Sequence, residues 1–225
     1  MNRLDQIPAD VCAIKIGLPS AQLEGILCIP SAIKGIVIFA HGSGSSRLSP
    51  RNQFVAQSLH RQGIGTLLFD LLTAEEDAID ERTAQYRFNI RLLADRLVEV
   101  TDWLPKYLSA EKLVLGYFGA STGAAAALVA AAEHPQSIKA VVSRGGRPDL
   151  AMDYLDRVQA PTLLIVGGRD FQVIEMNRTA LSRIQTDKAL ILVLGATHLF
   201  EEPGALEEVS RLASSWFLKY FASKK

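Results

Sequence analysis

The chain has 225 residues, 24 Lys plus Arg against 24 Asp plus Glu, 48% apolar residues and 21% charged ones. That is the balance of an ordinary soluble globular protein with enough apolar sequence for a sizeable core. It gives no basis for nucleic acid or an acidic membrane as partner, and no internal linker divides it, so one domain over residues 1–225 is expected.

The chain opens MNRLDQIPADVC, with acids at Asp5 and Asp10 and no apolar h-region. A secretory signal is not expected from it, and a cytoplasmic location is the default reading. Residues 11–18 and 22–29, split by Pro19-Ser20, read as an antiparallel pair on the edge of a sheet. They hold the two cysteines, Cys12 and Cys28, which lie in no CxxC or Cys/His cluster. Two buried thiols are expected, with neither a metal nor a disulfide framework.

Six short runs rich in Val, Ile and Leu follow, at 35–39, 66–72, 113–118, 140–143, 162–166 and 189–194. Each reads as a strand buried on both faces, the mark of a parallel sheet covered by helices. After the first, Ser49 offers an N-cap with Pro50 at the first helical position, Val55 and Leu59 share a face, and Gly63 can close the helix. Residues 73–85 carry five acids and read as a loop or short helix with a solvated face. The uncharged stretch 113–132 is long enough to cross a bilayer. Gly116, Gly119, Ser121, Thr122 and Gly123 interrupt it, however, so a buried strand, a turn and a buried helix are expected, and no membrane span. A last helix from about Pro203 sets Leu206, Val209, Ala213, Trp216, Phe217 and Tyr220 on one stripe. Together these elements predict an α/β protein, a mostly parallel sheet of about eight strands with helices on both faces.

Chemistry concentrates in two glycine-rich turns. Gly119-Ala120-Ser121-Thr122-Gly123 matches G-x-S-x-G between an apolar strand and an alanine-rich helix. There a tight turn forces the serine outward, and small flanking residues give the folded-back backbone its space. A serine hydroxyl is a weak nucleophile without a base and an acid to orient that base. Of the four histidines, His60 and His134 fall on helices and read as surface residues, and His41 opens the first glycine loop and fixes its shape. His198 lies just past the last strand, where a loop can swing imidazole over the sheet edge. Asp170 ends the strand before it, with Asp149 the alternative acid one strand earlier. Ser121, Asp170 and His198 run in the chain order of α/β-hydrolases.

The sequence resembles the dienelactone hydrolase-related group of α/β-hydrolases, small enzymes without a cap domain, over nearly its whole length. The residues that carry the resemblance are His41-Gly42-Ser43-Gly44, Gly119 to Gly123, Gly168-Arg169-Asp170 and Thr197-His198. The enzymes that gave the group its name have a cysteine at the elbow, where this chain has Ser121. The resemblance implies hydrolysis of a small ester, thioester or lactone through an acyl-enzyme, with no metal and no organic cofactor.

The loop after residue 39, AHGSGSSRLS, lacks the last glycine of a dinucleotide fingerprint, where Arg47 stands, and it lacks a Walker Gly-Lys-Ser/Thr. In a hydrolase its backbone N–H groups face a developing oxyanion, and Ser43 and Thr122 are the expected donors. Arg47, Arg144, Arg147 and Arg169 all follow strands. One or two of them, Arg47 and Arg144 first, are candidates to hold a substrate carboxylate; the competing reading pairs them with nearby acids such as Asp70 and Asp149. A binding or scaffold protein that keeps the fold without catalysis is the alternative function. Oligomeric state is open.

Overall fold

The protein is described by a computed structural model over residues 10–31, 33–110 and 113–222. The reading of the extreme N-terminus, Asp5 included, lies outside the described residues. Among the described residues eight strands form one sheet: β1 (Asp10–Gly17), β2 (Gln22–Ile29), β3 (Ile36–Ala40), β4 (Gly65–Phe69), β5 (Leu115–Ala120), β6 (Ile138–Arg144), β7 (Thr162–Gly167) and β8 (Lys188–Val193). Their spatial order is β1-β2-β4-β3-β5-β6-β7-β8. The β1–β2 and β2–β4 pairs are antiparallel, and every pair from β4–β3 to β7–β8 is parallel. All the parallel strands therefore end at one edge of the sheet.

The described residues hold six helices between and after the strands: α1 (Pro50–Arg61), α2 (Ala74–Thr83), α3 (Ile90–Tyr107), α4 (Thr122–Glu133), α5 (Phe171–Arg183) and α6 (Ala205–Phe221), with a 3-10 segment at Pro148–Arg157. Successive strand residues serve opposite faces, so a continuous apolar run feeds two cores. Ile38, Tyr117 and Val141 pack with Leu97 of α3 and Leu128 of α4. Phe39, Phe118 and Val142 pack on the other face with Val55 and Leu59 of α1 and Val209 and Phe217 of α6. Burying each such side chain stabilises the fold by about 1.5–3 kcal/mol. Among the described residues no separate cap domain is inserted.

Three local expectations are corrected. The acidic stretch 73–85 takes the helical one of its two expected forms, α2, started by a capping box in which Thr73 and Glu76 satisfy each other's backbone N–H, but its face is not wholly solvated. Its Asp80 is buried, not solvated, and accepts hydrogen bonds from the Tyr86 and Arg87 amides and the Arg87 guanidinium. Cys12 is exposed although it shares a face of edge strand β1 with the buried Ile14 and Ile16, because it lies at the outer end of that strand, and of the two cysteines only Cys28 is buried. His60 is not a free surface residue: its ring lies across the β2–β4 pair, with Nδ1 3.4 Å from Cys28 Sγ and Nε2 2.7 Å from Thr66 Oγ1.

Candidate active site

The turn that carries Ser121 is built by close approach. Ser121 takes φ 51° and ψ −122° between β5 and α4, a conformation that costs a non-glycine residue about 1–3 kcal/mol and persists only where its surroundings enforce it. They do so through the flanking glycines. A Cβ on Gly119 would lie 2.4 Å from Ala124 Cα, and one on Gly123 2.3 Å from Ala40 O. Every residue of α4 from Thr122 to Ala132 is buried, so small side chains let the helix sit down on β3 and β5. Behind it, the buried Tyr117 hydroxyl is 2.5 Å from Thr101 Oγ1, tying β5 to α3.

Asp170 and His198 emerge two and three strands away, and their loops are laced together. Gly168 N–H donates to Val193 O at 2.8 Å and Arg169 N–H to Ala196 O at 2.9 Å. Thr197 N–H donates to Glu202 Oε1 at 3.1 Å, which fixes the turn that carries the histidine. Hydrogen bonds from Thr197 hold the Glu202 carboxyl below its ordinary range. Within this frame His198 Nδ1 is 2.7 Å from Asp170 Oδ2. With Nδ1–H donating to the carboxylate, Nε2 is left as an acceptor. The imidazole leans on Gly145, where a Cβ would stand 3.5 Å from His198 Cε1. Ser121 is tied to the same strand end, its N–H donating to Arg144 O at 3.2 Å. Among the described residues no hydrogen bond joins Ser121 Oγ to the ring, a contact that commonly tightens only once substrate is bound. Asp149, the alternative acid, is engaged elsewhere: Arg147 Nε and Nη2 donate to its two oxygens at 2.9 and 2.8 Å.

The first glycine loop differs from expectation in one bond. Ser43 N–H, expected to face an oxyanion, donates to Thr122 Oγ1 at 3.0 Å, and Ser43 Oγ lies 2.9 Å from the same atom. The two expected donors are adjacent, but the Thr122 side chain occupies one of them. That side chain carries no sequence signal of its own. His41 holds the loop as expected. Its Nδ1–H donates to Gly42 O at 3.0 Å and its Nε2 accepts from Leu71 N–H at 3.0 Å.

The arginines separate. Arg47 is neutralised, its guanidinium and its amide both donating to Asp70. It lines a groove of about 630 Å³ beside the site together with His41, Ser46, Asp70 and Asp77. Arg147 is committed to Asp149. Arg144, at the end of β6, is 8% exposed, and its Nη1 is buried without a hydrogen-bond partner among the described residues. Burial, and then the neighbouring Arg51, push its pKa down to about 10. Arg51 was not singled out by sequence. It stands in the first turn of α1, with Nη1 3.1 Å from Glu201 Oε1 and Nε buried without a partner among the described residues. Among the described residues no group of His, Cys, Asp and Glu could hold a metal ion, and no helix is long and apolar enough to cross a membrane.

Sheet order, elbow and acid–histidine pair together define a class. The α/β-hydrolase fold family model matches residues 35–198, and the chain belongs to that family. Within it, the chain is related to dienelactone hydrolases. The dienelactone hydrolase of Anabaena variabilis is 57% identical, with a TM-score of 0.92 over 94% of this chain and 98% of that one. Est1E of Butyrivibrio proteoclasticus, 17% identical with a TM-score of 0.79 over 94% and 99% of the two chains, shares the fold. Two Mycobacterium tuberculosis proteins, each provisionally named a phosphoribosyl transferase, are 57% identical over 198 residues. The match takes in 88% of this chain but 44% of each of theirs, so the chain spans less than half the length of those relatives.

Proposed function

We propose that the protein is a serine hydrolase that cleaves a small ester, thioester or lactone through an acyl-enzyme on Ser121. The observation that carries this reading is the outward-strained Ser121 at the same sheet edge as an imidazole whose Nδ1 is 2.7 Å from Asp170 Oδ2. In the first half-reaction Ser121 Oγ adds to the acyl carbonyl while His198 Nε2 takes its proton. The tetrahedral oxyanion is met by backbone N–H groups of Ser43 and Thr122, and the leaving group departs with the proton from His198. Water then repeats the sequence on the acyl-enzyme through the same imidazole. Asp170 keeps the ring in the Nδ1–H tautomer and stabilises the imidazolium. No step calls for a metal or an organic cofactor.

Arg144 supports an acidic substrate. A guanidinium buried without a carboxylate leaves a desolvation cost uncompensated, and a carboxylate on the substrate would offset it bidentately. Arg47 is withdrawn from this role because Asp70 already neutralises it.

The test is a panel of p-nitrophenyl esters, thioesters and lactones, run on the parent and on Ser121→Ala. Turnover of at least one class that disappears in the variant supports the reading. Turnover that survives Ser121→Ala removes the acyl-enzyme.

A further inference from the structure

The bond between Ser43 N–H and Thr122 Oγ1 is out of place for a finished oxyanion hole, and it has a physical meaning. The peptide that carries this N–H lies between Gly42 and Gly44, the second of which has φ +64°, so its backbone can rotate the donor away at little cost. His41 holds the loop through Gly42 O, on the residue before the donor. Nothing on the loop itself holds the Ser43 N–H inward. Thr122 does: its hydroxyl is 3.0 Å from Ser43 N and 2.9 Å from Ser43 Oγ, and the residue is 3% exposed, so no water competes freely for the bond. Because Thr122 is also the first residue of α4, directly after Ser121, its side chain is referenced to the nucleophile.

Resting on the serine-hydrolase reading, we propose that the Thr122 hydroxyl is a positioning group that holds the Ser43 N–H beside Ser121 until an oxyanion takes the bond over. A charged oxygen is the stronger acceptor for the same donor, so the exchange is favourable when charge develops and not before. The hydroxyl thus keeps the donor in place in the resting site, and what changes during the reaction is the acceptor of the N–H, not the course of the loop. The Thr122 backbone N–H acts separately and survives any change of the side chain.

The inference is tested without knowing the natural substrate by timing covalent labelling with an alkyl fluorophosphonate. In that reaction the Ser121 Oγ–P bond forms, the P–F bond breaks with loss of fluoride, the serine proton passes to His198, and the phosphoryl oxygen develops the charge that the hole must meet. The concentration dependence separates the maximal labelling rate from the reagent's binding constant. Thr122→Val, which keeps shape and loses the hydroxyl, is expected to slow the maximal rate about tenfold or more with the binding constant nearly unchanged, while Thr122→Ser regains most of that loss. A Thr122→Val protein labelled as fast as the parent, or faster, overturns the proposal. So does an equal loss in Val and Ser, or a loss seen only in the binding constant. A parent that reagent does not label at Ser121 at all would instead sink the serine-hydrolase reading, and this proposal with it.

Discussion

The loops after β3 and β8 each place a histidine at the same edge of the sheet, and the two side chains are opposites. His41 has both ring nitrogens committed to backbone, Nδ1–H to Gly42 O and Nε2 to Leu71 N–H, and burial pushes its pKa below the ordinary value. His198 has one nitrogen on Asp170, and its side chain is 39% exposed. An imidazole with no free lone pair is a clasp between loops. One with a carboxylate behind it and an acceptor nitrogen in front can move a proton. Position at the active edge therefore does not decide a histidine's role; what its two nitrogens already hold does.

The largest expected effect tests that contrast directly. His198→Ala and Ser121→Ala should each lower turnover by about 10⁴-fold or more, since members of a triad act as a unit. His41→Gln should lower it by less than about a hundredfold, because it disturbs the oxyanion loop without removing a base. Rates on one activated ester decide it: a loss with His41→Gln as deep as with His198→Ala would erase the distinction. Next comes the acid. Asp170→Asn should cost about 10⁴-fold by holding the wrong tautomer, whereas Asp149→Asn, whose carboxylate is spent on Arg147, should stay within about tenfold of the parent. Reversal of that order would move the acid to the end of β6.

The same contrast shows what a one-dimensional pattern carries. The strands that feed the edge could be read from runs such as 35–39 and 162–166, which lie within one residue of β3 and β7, because burial on both faces demands apolar residues at every position. The elbow could be read because only small residues fit its close approach. His41 could be given its loop-shaping role from its place in HGSG, but its second anchor, Leu71 N–H, is a backbone atom and leaves no trace in residue types. Ion pairing was the hardest to read. Arg47, Arg144 and Arg147 occupy similar places at or after strand ends, and only the fold shows that two of them find carboxylates while Arg144 finds none among the described residues. Asp80 misled for the same reason: its charge belongs to a buried cluster with Arg87.

Arg144 gives an effect of intermediate size with opposite signs on two observables. If it binds a substrate carboxylate, Arg144→Met should raise KM for a carboxylate-bearing ester by about tenfold or more, with a neutral ester of similar size nearly untouched. Removing a buried unpaired charge should also stabilise the protein, by about 1–3 kcal/mol in urea unfolding. Equal kinetic losses on both esters, or a lowered unfolding midpoint, would return Arg144 to a purely structural role.

The smallest effect isolates the clasp itself. His41 has its pKa lowered from the ordinary 6.5, chiefly by burial, against opposing contributions from the Gly42 carbonyl, Asp70 and Asp77. In the unfolded chain the same ring takes up a proton as pH falls past 6.5, while the native ring, buried and using Nε2 as an acceptor, stays neutral. The unfolded state therefore binds more protons in the window below 6.5, so stability rises with pH there and falls on acidification, until the native ring charges as well. Burial lowers His60 in the same direction, so the parent slope between pH 6.5 and 5 contains both rings as well as the carboxylates. Comparing urea unfolding of the parent with His41→Gln over that window cancels the shared terms. The variant should lose part of the slope, at most about 1.4 kcal/mol per pH unit for one proton, and be less stable than the parent at pH 7, where the clasp is intact. A His41→Gln protein with the full parental slope would mean that the native ring protonates in place, and the clasp between the β3 and β4 loops would then not depend on a neutral imidazole.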